Sequence, residues 1–200
     1  EARRVVPSLR LLLVPRYQFY VPGMVQRLAS RGLACVLKSS LGSGAKANGH
    51  VIVVDTFGEL SRLYSIASVI FLGGSLYCRN VVGLGQNPIE PLSQRRPLFF
   101  GPFMNLWREI TDELKTVWPG VEVRTSGELA AGAIAVLSDP GLRARLEEKI
   151  EQILVSHRED VAKNVDLVMS AVADIPAAVL TSSTPGIPAS THAVRIIGHD

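Results

Sequence analysis

Five short apolar runs, separated by helix-like segments, constrain this chain more than any other feature. They are Leu11-Leu12-Leu13-Val14, Ala34-Cys35-Val36-Leu37, Val51-Ile52-Val53-Val54, Val69-Ile70-Phe71-Leu72 and Pro97-Leu98-Phe99-Phe100. None alternates apolar with polar. A strand need not alternate when it is covered on both faces, as parallel strands are. Pro15, Asp55, Gly73-Gly74 and Gly101-Pro102 close four of the runs. The spacing of Val25, Leu28 and Ala29 predicts a helix over 25–31, stopped by Gly32. Asp55-Thr56 is expected to start the next helix. Either residue can cap it, and Glu59 stands where a capping box places it. Leu60, Leu63, Tyr64 and Ala67 then form its apolar face. Further helices are expected over 87–92, with Pro88 in the first turn, and over 105–114, 126–137 and 142–157. Val121-Glu122-Val123 reads as a short last strand, and 41–49 and 77–86 as loops. Strands alternating with helices in this rhythm give an α/β fold: a Rossmann-like parallel sheet with helices on both faces.

The chain of 200 residues is long enough for one domain with its own core. Residues 1–175 are expected to form it. Over 176–200 the composition shifts, and Thr181-Ser182-Ser183-Thr184-Pro185-Gly186 reads as a linker-like tail. Cys35 and Cys78 cannot make a disulfide framework. They suit a reducing compartment, as small buried apolar residues. No apolar stretch approaches the roughly 20 residues of a membrane span. The basic start is interrupted by Pro7, Arg10 and Pro15-Arg16, which argues against a signal peptide. A net charge of +3 suits an anionic lipid or substrate without demanding either. His50, His157, His192 and His199 lack metal-ligand spacing. There is no nucleophile elbow, P-loop or paired-cysteine zinc motif. Aromatics are few and not interleaved with a basic patch, so no nucleic-acid partner is expected.

Ligands of such sheets bind at the carboxyl ends of the strands, and the chemically interesting residues fall there. Gly73 and Gly74 let backbone N–H groups approach a ligand, and with the helix start near Asn87 they can cradle an anion. A plain tight turn explains a lone glycine pair as well. Asn87 and Glu90 share one helical turn; Glu90 can accept from a ribose diol. Spacing alone favours the blander pairing of a capping Asn with a dipole-favoured Glu. Arg16 can grip a phosphate or carboxylate in bidentate fashion, or simply be solvated. Asp55 and Glu59 read first as helix-capping residues.

Taken together, these segments resemble the carboxyl-terminal, donor-binding half of the bacterial 3-deoxy-D-manno-octulosonic acid (Kdo) transferases. Five stretches carry the resemblance in order: Val14-Pro15-Arg16-Tyr17, Asp55-Thr56-Phe57-Gly58-Glu59-Leu60, Phe71-Leu72-Gly73-Gly74-Ser75-Leu76, Leu84-Gly85-Gln86-Asn87-Pro88-Ile89-Glu90-Pro91 and Gly101-Pro102-Phe103-Met104-Asn105-Leu106.

The resemblance implies one half of a GT-B glycosyltransferase that moves Kdo from CMP-Kdo to a lipid A precursor. By similarity, Arg16 meets the anionic groups of the CMP-sugar donor. Gly58 and Glu59 wall the cytosine, chiefly through backbone. Gly73, Gly74 and Ser75 face the phosphate, and Asn87 and Glu90 the ribose. No metal or other cofactor is implied, since Arg and helix dipole supply the positive field. The family works at the cytoplasmic face of the inner membrane, touching its anionic surface. The acceptor hydroxyl attacks the anomeric carbon as CMP leaves, and a general base takes its proton. In the family that base is a Glu of the amino-terminal half, which also meets the acceptor. This stretch therefore holds no catalytic residue. It lacks the donor half's first strand and is expected to be inactive alone.

Two positions depart from the family pattern. Tyr17 stands where the family has His after Pro-Arg, and Gln86 where it has His before Asn. Two further readings follow: a divergent GT-B transferase or epimerase using another nucleotide sugar such as a UDP-sugar, or a Rossmann-like binding domain without catalysis.

Overall fold

The apolar runs form parallel strands. This computed structural model describes residues 2–42, 51–77 and 85–173. The chain divides into two units, Glu1–Ser156 and His157–Asp200. In the first unit, strands β1 (Leu11–Leu13), β2 (Cys35–Leu37) and β3 (Val51–Val53) make one parallel sheet in the order β1-β3-β2. Leu12 and Val36 both pair with Ile52. Strands β4 (Ile70–Leu72) and β5 (Leu98–Phe100) make a second parallel sheet with Phe71 opposite Phe99. The expected strand at Val121-Glu122-Val123 is reduced to one parallel bridge between Phe100 and Glu122. Pro119 winds Pro119–Val121 into a 3-10 turn immediately before it.

The helices of this unit are α1 (Ala2–Val5), α2 (Val21–Ala29), α3 (Leu60–Ile66), α4 (Ile89–Ser93), α5 (Arg108–Val117), α6 (Ser126–Ser138) and the first part of α7 (Pro140–Ala173). Helix α2 begins four residues before the expected start because Pro22 occupies its first turn, where the missing N–H costs nothing. It ends at Gly32, whose φ is +67°. The Gly32 N–H bonds the Ala29 carbonyl and the Leu33 N–H the Leu28 carbonyl, a Schellman ending that needs the left-handed residue. Val21, Met24, Val25 and Leu28 lie on one face of α2 and pack on Leu13, Cys35, Leu37, Val51 and Val53.

The β4–β5 sheet is covered on both faces, so its strands carry apolar side chains at every position. Ile70, Leu72, Leu98 and Phe100 join Ile110, Leu114, Ile150 and Ile153 in one cluster. Phe71 and Phe99 point the other way, to Val123, Val136, Leu146 and Trp118. Trp118 meets Phe99 edge-on with ring centroids 4.6 Å apart. Gly132 of α6 lies against the same ring; a Cβ there would come within 2.6 Å of Phe99 Cζ, so only glycine allows this approach of helix to sheet. Arg96 holds the Ser65 carbonyl at 2.6 Å and Glu147 at 3.5 Å, fastening the entry of β5 to α3 and α7. The second unit is described over 157–173, the distal part of α7, whose described side chains are largely exposed. Helix α7 thus runs well past the expected end at His157. The linker-like stretch and the tail beyond it lie outside the described residues, as do Cys78, His50, His192 and His199. Cys35 is half-buried under α2 and unpaired.

Candidate functional site

The strand ends gather the predicted residues into two groups. The first lies where β1 and β4 end. Arg16 follows β1 and is exposed; its Nη1 donates to Gln86 Oε1 at 3.1 Å, across seventy positions of sequence. The guanidinium also sits 5.7 Å from the centre of the Tyr17 ring, within reach of a cation–π contact. Gln86 Nε2 lies 3.5 Å from the point where a Cβ on Gly74 would stand. Gly73 and Gly74 are exposed, and Gly74 has a φ of +76°. Arg16, Gln86 and the Gly73-Gly74 turn therefore meet at one place.

The backbone beneath is fixed by contacts between loops. Gly85 has a φ of +61°, and a Cβ there would sit 3.1 Å from the Phe103 carbonyl and run into the Met104 sulfur. The turn carrying Gln86 is thus pressed onto the loop after β5. Ser75 is fully buried. Its hydroxyl donates to the Leu72 carbonyl at 2.6 Å and accepts from the Gly101 N–H at 2.8 Å. The Ser75 hydroxyl is thus used within the protein, joining the ends of β4 and β5.

Asn87 and Glu90 stand at the next helix. Asn87 is exposed, and its Oδ1 accepts from the Ile89 N–H at 2.9 Å, the local role that spacing favoured. Helix α4 spans only Ile89–Ser93. A helix so short aligns few peptide dipoles, so the expected cradle at its N-terminus reduces to the loop before it. Glu90 is half-buried on α4. Burial, and then the Glu90 charge, push the Tyr64 hydroxyl above its usual pKa.

The second group lies where β2 and β3 end. Glu59 Oε1 accepts from Lys38 Nζ at 2.7 Å and its Oε2 from Thr56 Oγ1 at 2.7 Å. Asp55 accepts from the Ser39 N–H at 2.8 Å and from the Ser39 hydroxyl. Lys38, and then Thr56, hold the Glu59 carboxyl below the usual carboxylate range; Ser39 does the same for Asp55. The expected helix start at Asp55-Thr56 is overturned, for α3 begins at Leu60 with Glu59 at its N-cap. Gly58, at a φ of +77°, turns the chain out of helical geometry between Thr56 and Glu59. With both Glu59 oxygens engaged, what this segment offers a ligand is the exposed backbone at Gly58. Lys38 and Ser39 escaped the sequence reading. They directly follow β2, so the strand-end rule applied to that strand would have found them.

Beyond β5 a hollow of about 220 Å³ is lined by Gly101, Pro102, Asn105, Arg108, Lys115 and Glu122. Its Lys115 is paired with Asp112 at 2.6 Å and with Glu122 at 3.5 Å. Among the described residues no group of three His, Cys, Asp or Glu side chains is arranged to hold a metal ion. Among them, too, no helix is long and apolar enough to cross a membrane.

The fold is that of a Rossmann-like α/β domain with parallel strands and ligand-facing loops at their carboxyl ends. The C-terminal CMP-Kdo binding domain of WaaA from Acinetobacter baumannii has the same fold, with a TM-score of 0.65 at 24% identity over 73% of this chain and 74% of that one. The chain is a sequence relative of the 3-deoxy-D-manno-octulosonic acid transferases. It is 31% identical to that of Haemophilus influenzae over 165 residues, 81% of this chain and 37% of the relative. It is 28% identical to that of Aquifex aeolicus over 153 residues, 76% of this chain and 40% of the relative. The chain thus spans about two fifths of the length of these relatives. No family model matches it.

Proposed function

We propose that this chain is the donor-binding part of a glycosyltransferase that moves Kdo from CMP-Kdo to a lipid A precursor. The observation that carries the reading is the meeting of Arg16, Gln86 and the Gly73-Gly74 turn at the carboxyl ends of β1 and β4. That is where an open α/β sheet binds ligands, and a guanidinium linked through Gln86 to an exposed glycine turn suits a phosphate. In this reading Arg16 and the N–H groups of Gly73 and Gly74 meet the donor's anionic groups. Asn87 and Glu90 meet the ribose, and the backbone around Gly58 walls the base. Ser75 supports the turn from beneath.

The domain reading is part of the proposal: residues 1–175 bind the donor, lack the half's first strand, and lead into a tail over 176–200. The acceptor, the general base and the amino-terminal half that holds them are taken from the resemblance. So are the cytoplasmic face of the inner membrane, contact with its anionic surface, and the lack of any metal or other cofactor. Attack by the acceptor hydroxyl expels CMP, and this chain's part is to hold that leaving group.

Gln86 in place of the family's His favours one second reading, a transferase for another nucleotide sugar. Incubating the whole protein with CMP-Kdo and a lipid A precursor, and weighing the lipid product, tests the proposal. A mass gain of one or more Kdo units is expected, with none from the isolated chain. A gain from UDP-sugars but not from CMP-Kdo would contradict it.

A further inference from the structure

The Arg16–Gln86 contact fixes more than Arg16. A guanidinium has five N–H donors and no acceptor. Only the carbonyl oxygen of the Gln86 amide can therefore face it, and Oε1 does so at 3.1 Å. The opposite side of a planar amide is its NH2. Gln86 Nε2 accordingly points over Gly74, 3.5 Å from that residue's missing Cβ. The turn beneath it cannot slide, because Gly85 is pressed against Phe103 and Met104. Gly74, at φ +76° with no side chain, leaves the space under the amide open. An oxygen lodged at the Gly73-Gly74 turn would meet the Nε2 donors from one side and backbone N–H groups from the other.

We propose that Gln86 is a specificity-determining residue: its NH2, oriented by Arg16 above Gly74, donates to an anionic oxygen of the ligand held at the Gly73-Gly74 turn. The inference rests on the nucleotide-binding reading above. It adds a neutral donor whose contribution does not titrate, unlike that of a histidine in the same place.

The test is a double-mutant cycle read by calorimetry on the whole protein, with CMP as ligand and cytidine as the control lacking phosphate. The variants are Gln86→Met, Arg16→Met and the pair. Met keeps the length of the Gln side chain and has no donor. Gln86→Met is expected to weaken CMP about tenfold, the scale of one hydrogen bond to a charged group. Cytidine affinity should be unchanged. The loss should persist, at about threefold or more, in the Arg16→Met background, where orienting the guanidinium no longer matters. A Gln86→Met effect that vanishes in that background, or equal losses for cytidine and CMP, overturns the role of Gln86 while CMP binding itself stands. Failure of the unmutated protein to bind CMP at all overturns the nucleotide reading and this inference with it.

Discussion

The Gly101 N–H donates to the Ser75 hydroxyl at 2.8 Å, and that hydroxyl donates onward to the Leu72 carbonyl at 2.6 Å. The loops after β4 and β5 are thereby tied through one buried side chain, and the Phe103 N–H adds a bond to the Ser75 carbonyl at 3.0 Å. Ser75→Ala leaves the Gly101 N–H without its partner in a buried place and should cost about 1–3 kcal/mol. Gly101→Ala should cost more, because its Cβ would lie 2.6 Å from Leu76 Cα, where backbone has to move. Urea midpoints of the two variants check this. Midpoints equal to that of the unmutated protein would show that the loops are held by something else.

The two glycines of the β4 turn separate stability from binding. Gly74, at φ +76°, sits where an L-residue pays about 1–2 kcal/mol. A Cβ on Gly73 meets nothing within 4 Å, and its φ is not in the left-handed region. Gly74→Ala should therefore lower both the urea midpoint and CMP affinity. Gly73→Ala should leave stability within about 0.5 kcal/mol and lower CMP affinity alone. If Gly73→Ala binds CMP as well as the unmutated protein, the ligand does not approach the turn at that residue.

The pattern Thr-x-x-Glu occurs twice with opposite outcomes, and it measures how far the sequence is legible. At Thr125-x-x-Glu128 the Thr hydroxyl accepts from the Glu128 N–H at 3.1 Å, and the Glu128 carboxylate takes the Arg124 N–H at 2.8 Å. This is a helix cap, at the start of α6. At Thr56-x-x-Glu59 the two side chains bond each other instead, Gly58 turns left-handed between them, and Lys38, from twenty-one positions upstream, claims the other Glu59 oxygen. Spacing cannot distinguish the two, because the deciding partner is distant in sequence. The five strands were legible because unbroken apolar runs of four, each followed by a turn or helix signal, suit short parallel strands. The bridge at Glu122 was not, because Pro119 acts on backbone geometry just outside the run. In the candidate site, the strand-end rule located Arg16, Gly73 and Gly74. It could not show that the Ser75 hydroxyl turns inward or that Gln86 reaches Arg16, since both depend on contacts between loops.

The acid limb of stability should come from the Lys38–Glu59 and Ser39–Asp55 contacts. Both carboxyls are held below their usual range when folded. A depressed folded pKa gives stability that is complete above the unfolded value, about 4, and lost as pH falls through the folded value. Glu59→Gln and Asp55→Asn should therefore lower the urea midpoint at pH 6. The gap to the unmutated protein should close as pH drops below about 4. A gap that stays constant between pH 6 and pH 3 would contradict the assignment.

Among the described residues strand β1 pairs with β3 on one side, and Leu11 on it is 43% exposed. An apolar strand with an open edge invites pairing with another chain. The isolated chain should self-associate as concentration rises, and Leu11→Lys should reduce this. Sedimentation velocity over a concentration series decides. A chain that stays monomeric throughout would count against an open β1 edge.

On the proposed reading, the ends of β1 and β4 hold the cytidine monophosphate of the donor, and calorimetry of CMP against the whole protein, beside Glu90→Ala and with UDP as control, decides it. CMP should bind, UDP should bind at least tenfold more weakly, and Glu90→Ala should lose most of the CMP affinity while unfolding at nearly the same urea concentration. No CMP binding by the folded protein, or equal binding of CMP and UDP untouched by Glu90→Ala, would contradict it.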